Sequence, residues 1–156
     1  MPTPTPTATV VSIEAPANIP AGGDFVARVS ITQVTDFDAY QFNFTYNPAV
    51  IQIIGAESGP EGVTRGLIDS TTVPVAMWAF IPSATQGAIV VLGNIPGFAG
   101  LTGSGYLAEI HFHVIGSPGE NSDITPTKVG LFNNMGNQIA PVTLVGDSVQ
   151  VVAPSK

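Results

Sequence analysis

The sequence predicts an all-β fold, a two-sheet sandwich of nine strands, and three observations carry that prediction. Val, Ile, Thr, Phe and Tyr fill the ordered stretches, with 17 Gly and 14 Pro punctuating them, a mixture that makes short strands joined by turns. Charged residues are 10% of the chain against 44% hydrophobic. That is too little Lys and Glu to cover exposed helix faces, and too much apolar matter for a disordered chain. No segment keeps a helical period, whereas several alternate with period two. A chain of 156 residues suffices for one domain around one core.

Taken in order, residues 1–7 are a Pro/Thr run, extended and semi-rigid because Pro fixes φ. It reads as the remnant of a linker in a secreted, multi-module protein, with the folded domain at 8–153. Residues 8–14 form a first strand, and PANIPAGG is a loop. Residues 24–34 place Phe25, Ala27, Val29 and Ile31 on one face. Residues 39–46 carry the clearest alternation: Tyr40, Phe42, Phe44 and Tyr46 point one way, Ala39, Gln41, Asn43 and Thr45 the other. After the Asn47-Pro48 turn comes a short strand with Ile51 and Ile53, and then a loop over 55–74. Residues 75–81 and 88–95 are strands apolar on both faces, so periodicity leaves the facing of 75–81 open. PGFAGLTGSG is a loop. Residues 106–115 put Ile110, Phe112 and Val114 inward and Glu109, His111 and His113 outward. Residues 122–133 and 142–152 close the fold.

Composition excludes several functions. The net charge is -7, and the only cations are Arg28, Arg65, Lys128 and Lys156. Four dispersed cations build no nucleic-acid patch and no anionic-membrane surface. No apolar run reaches the roughly 18 residues of a membrane helix, so no membrane insertion is expected. With no cysteine there is neither a disulfide nor a thiolate metal site. No nucleophile elbow, Walker loop, dinucleotide fingerprint or HExxH occurs, so no catalytic residue is assigned. His111 and His113 stand side by side with Glu109, but a third His is lacking. The group reads as a solvated outer face, and no metal site is assigned. Asp36, Asp38 and Asp123 lie in turns without EF-hand spacing. A carbohydrate-binding module is the alternative reading, and it needs an exposed aromatic row. Four rings at period two on one strand read instead as a core face.

Three segments resemble the cohesin family. FNFTYNPAVIQIIGAESG resembles its signature, an aromatic strand ending in Tyr-Asp-Pro before an aliphatic strand and a glycine, with Asn47 in the place of the Asp. GSGYLAEIHFHVIG resembles the later strand of the form Gly-x-Leu-Ala-x-Ile-x-Phe-x-Val. GLFNNMGNQIAPVTLVGDSVQV resembles the closing segment, where an Asn-Gly loop leads into the last strand. They occur in the family's order and span residues 8–152.

The resemblance implies a jelly-roll sandwich and an extracellular, non-catalytic module that binds a dockerin. Dockerins are small helical modules with two calcium loops, so calcium is expected in the partner and no cofactor here. The contact sheet it implies is built from the third, fifth, sixth and eighth strands. Carried onto this chain, the face comprises Ala39, Gln41, Asn43 and Thr45, then Val90, Leu92 and Asn94, and Asn134, Met135 and Asn137 from the loop after the eighth strand. Weak self-association through the same face is compatible with its apolar part. Many cohesins carry Asn and Asp on the third strand to hydrogen-bond the partner. Here Ala39 and Gln41 hold those positions, so a charge-assisted contact is missing.

Overall fold

One long strand organises the molecule. In the computed structural model, which describes residues 9–55, 59, 61–81, 85–95, 100–139 and 142–154, strand β3 (Asp24–Tyr46) runs for 23 residues. Alternation predicts two strands there, 24–34 and 39–46. One strand instead runs through both segments and changes neighbours between them. Asp36 takes a left-handed φ of 54°, a conformation Asp tolerates better than most residues. Its amide donates to Thr102 Oγ1 at 3.2 Å, and its carbonyl accepts from the Asn134 amide at 3.0 Å. Register shifts on either side of Asp36 let β3 leave one set of partners and enter another.

In its first half, β3 lies between β1 (Thr9–Glu14) and β9 (Leu101–Val114), antiparallel to both. The far side of β9 carries β4 (Ile51–Ile53) and β5 (Val63–Ile68), and β6 (Thr71–Val73) extends β5. Strand β11 (Val142–Val145) adds in parallel to β1. In its second half, β3 lies between β8 (Ala88–Asn94) and β10 (Asn121–Asn133), with β7 (Met77–Phe80) outside β8. Strand β12 (Asp147–Val152) pairs with β10, and β2 (Asn18–Pro20) pairs in parallel with β12.

The described residues therefore hold twelve strands where the sequence predicts nine. Part of the expected PANIPAGG loop is β2, and part of the expected 55–74 loop is the β5–β6 hairpin. The first half of PGFAGLTGSG lies largely outside the described residues, and its second half is the start of β9. Glycine hid these strands. A Cβ on Gly66 would sit 2.1 Å from the Tyr106 carbonyl oxygen, and one on Gly105 would sit 2.0 Å from that of Leu67. Only bare backbone lets β5 approach β9 so closely. The expected linker at 1–7 lies outside the described residues.

The core sits between the two halves of β3. Phe37, Tyr40, Phe42, Phe44 and Tyr46 form a ladder of rings with centroids 5.7–6.1 Å apart. Phe25 stacks on Phe112 at 5.2 Å, and Phe112 meets Tyr46 edge-on at 5.2 Å and Phe44 at 6.4 Å. These contacts bring the layers face to face as a β-sandwich. Each such buried ring contributes about 1.5–3 kcal/mol by transfer alone. Every side chain that the alternation of 24–34 and 39–46 points inward is buried.

Candidate functional site

The second layer turns its other side outward, and there β7, β8, β3 and β10 lie edge to edge. Registers fix which side chains are neighbours. Ala79 pairs with Val90, Val90 with Asn43, and Asn43 with Lys128. One step along, Met77 pairs with Leu92, Leu92 with Gln41, and Gln41 with Gly130. Ala39 stands between Asn94 and Phe132, and Thr45 between Ala88 and Thr125. Ala39, Gln41, Asn43, Val90 and Leu92 are half-buried, while Thr45 and Asn94 are exposed. The face carries little charge: across residues 39–46, 77–81, 88–94 and 125–133 Lys128 is the only charged side chain, and Asp123 stands exposed on the same side of β10 just beyond Thr125.

All seven strand residues nominated from the sequence therefore share this outer side. Asn134, Met135 and Asn137 lie beyond its Ala39–Asn94 end, in the turn that follows β10. Asn133, which the sequence reading did not single out, shapes that turn. Its Oδ1 accepts from the amides of Met135 and Asn137, both at 3.0 Å, an arrangement typical of Asn in turns. Met135 is left 81% exposed.

Sequence reasoning missed Met77, Ala79, Ile81, Lys128 and Phe132 on the same side. The ambiguity at 75–81 resolves by size. Trp78 and Phe80 pack inward, leaving Met77 and Ile81 exposed at 41% and 44%. The largest rings claim the core, and that was the usable signal. The Phe132 ring leans over Gly130, within 3.4 Å of where a Cβ there would lie.

The layer is pinned from behind. The Tyr40 hydroxyl donates to the Pro74 carbonyl at 3.1 Å, and that of Tyr46 donates to Gln86 Oε1. Burial pushes the Tyr40 phenol well above its ordinary range. It pushes Tyr46 up to about 12, against the opposing pull of backbone hydrogen bonds at Gly87 and Ile53. Among the described residues two buried side-chain oxygens lack a partner, Asp38 Oδ1 and Asn43 Oδ1.

The remaining chemistry-bearing groups are dispersed. His113 Nδ1 lies 2.5 Å from Asp24 Oδ1, and His111 Nε2 lies 2.9 Å from Thr64 Oγ1. The two histidines thus serve separate contacts. Among the described residues no three His, Asp or Glu side chains gather where they could hold a metal. Arg28 pairs with Glu109 at 3.1 Å and lies over the Tyr106 ring at 4.4 Å. A groove of about 800 Å³, walled by Arg65, Leu67, Val75, Tyr106 and Glu109, opens beside Met77 at the β7 margin.

Fold and face together define an all-β sandwich with one weakly charged outer sheet surface. The chain belongs to the cohesin domain family, whose model matches residues 9–151. Among solved structures it is similar to a non-cellulosomal cohesin from the archaeon Archaeoglobus fulgidus, with a TM-score of 0.71 at 16% identity over 94% of this chain and 93% of that one. It is also similar to a type II cohesin domain from the cellulosome of Acetivibrio cellulolyticus, with a TM-score of 0.67 at 17% identity over 92% and 95%. A third is the structure of a type I cohesin–dockerin complex, Coh-OlpA with Doc918, from Clostridium thermocellum, with a TM-score of 0.66 at 16% identity over 94% and 100%. At these identities the likeness establishes the fold, a jelly-roll β-sandwich. No curated protein sequence matches the chain.

Proposed function

We propose that this domain is a non-catalytic recruitment module. It binds the dockerin module of another protein through the outer face of β7, β8, β3 and β10, and so brings that protein to an extracellular multimodular assembly. The observation that carries the reading is the weakly charged face itself, with an apolar centre, in a chain of the cohesin family. Half-buried Val90 and Leu92 stand at its centre with Gln41, Asn43 and Asn94 beside them. That is the apolar centre and polar surround of a protein interface. Three of the similar structures are cohesin–dockerin complexes. Calcium belongs to the dockerin in this reading, and the domain itself needs no cofactor.

Carbohydrate binding is the weaker reading on this geometry. Trp78 is 1% exposed and the Tyr40 and Tyr46 rings are buried, while Tyr106 is covered by the Arg28 guanidinium. Among the described residues no row of free rings is left for a sugar to stack on.

Calorimetric titration against a panel of dockerins, with calcium and then with EDTA, tests the proposal. Tight binding that disappears with EDTA is expected. Leu92→Arg is expected to remove binding while the far-UV spectrum and melting temperature stay close to wild type. Unchanged affinity in Leu92→Arg would move the contact surface elsewhere, and retention on insoluble polysaccharide without dockerin binding would favour the sugar-binding reading.

A further inference from the structure

What the face selects in its partner follows from the order of chemistries across it, on the assumption that the proposed dockerin reading holds. At the β7 edge stand Met77, Ala79 and Ile81, and beside them Ala88, Val90 and Leu92. The next strand presents the amides of Gln41 and Asn43, and β10 presents Lys128. Strands lie about 4.8 Å apart, so polarity rises from hydrocarbon to cation over about 14 Å. The row Ala79, Val90, Asn43, Lys128 contains all three chemistries. In that row Asn43 Oδ1 is buried and accepts no hydrogen bond; turned outward about its side-chain torsions on docking, it would accept from a bound donor.

We infer that the face selects a dockerin surface of the opposite order: apolar side chains over β7 and β8, a hydrogen-bond donor over Asn43, and a carboxylate over Lys128. Burial of the apolar half is insensitive to salt, whereas the single marginal ion pair is screened. Salt should therefore weaken binding through the Lys128 pair, against the opposing background of the domain's net charge of -7.

The experiment titrates the intact domain and the variants Lys128→Glu, Asn43→Leu and Asn43→Asp with dockerins of known sequence at low and high sodium chloride. Circular dichroism confirms that each variant is folded. The dockerins that bind should carry an acidic residue bordering an apolar stripe. Lys128→Glu should weaken them about fivefold or more at low salt and reverse the salt dependence, because the new carboxylate repels the partner's and salt screens that repulsion. Asn43→Leu should cost about tenfold or more, while Asn43→Asp, which keeps an acceptor, should stay within about threefold of wild type. Dockerin binding left untouched by both Lys128→Glu and Asn43→Leu overturns this inference and leaves the proposed function standing. If no dockerin binds the wild-type domain, the proposed function itself fails.

Discussion

Two phenols hold the back of the candidate face, and each does so only while protonated. Tyr40 donates to the Pro74 carbonyl and Tyr46 to Gln86 Oε1. Desolvation raises both, Tyr46 to about 12. In the unfolded chain a tyrosine loses its proton near 10. Between those values the unfolded state has released protons that the native state keeps, so stability is complete below about pH 10 and falls as pH rises toward the native value. Urea midpoints measured from pH 8 to 11.5 should therefore be level up to about 10 and decline beyond it. Tyr46→Phe should start lower, because a buried donor is lost, and decline less steeply. A wild-type midpoint that is flat to pH 11.5 would contradict the burial of these hydroxyls.

At the scale of elements, one side chain substitutes for a strand. Gln86 Nε2 donates to the Ile53 carbonyl at 3.0 Å, and the Ile53 amide donates back to Gln86 Oε1 at 3.0 Å. The amide group thus mimics a ladder partner for the open side of β4, and it ties the first layer to the end of β8. Tyr46 shares the same oxygen. Ile53 is 3% exposed, so Gln86→Ala would leave two backbone groups unpaired away from water. A loss of about 2–3 kcal/mol by urea denaturation is expected; a loss below about 0.5 kcal/mol would mean that water replaces the amide without penalty. Nothing in the sequence marks Gln86, which sits in a turn among small residues. The legible elements were those whose pattern is local. The rings of residues 40–46 announce one buried side, and Ala39, Gln41, Asn43 and Thr45 follow onto the other by alternation. Strand β7 was illegible in its facing because Met77, Ala79 and Ile81 are as apolar as the residues opposite them. The β5–β6 hairpin was hidden because Gly66, read as a loop signal, serves the close approach to Tyr106. Lys128 and Phe132 join the face only through the register of β10 on β3, and register between distant segments has no local signature.

For the whole molecule, that long-range registry decides how it unfolds. Strand β3 belongs to both layers, and the chain ends are knitted in: β1 pairs with β3 and with β11, and β12 pairs with β10 and with β2. Val149 and Val151 of β12 are buried in the same core as Phe44 and Phe112. Neither layer keeps a closed core without the other, so the domain should unfold as one cooperative unit. The lone tryptophan makes this measurable. Trp78 belongs to the layer that carries the candidate face, where its ring meets Phe80 edge-on at 5.3 Å, while far-UV ellipticity reports both layers. Denaturation followed by tryptophan fluorescence and by ellipticity should give coincident transitions, and deleting residues 142–154 should abolish both together. The deletion leaves every residue of the face in place and removes β11 and β12, which pair with β1 and β10. A truncated chain that kept a sharp fluorescence transition would show that the face-bearing layer folds alone, and that the β3 spine does not couple the two halves.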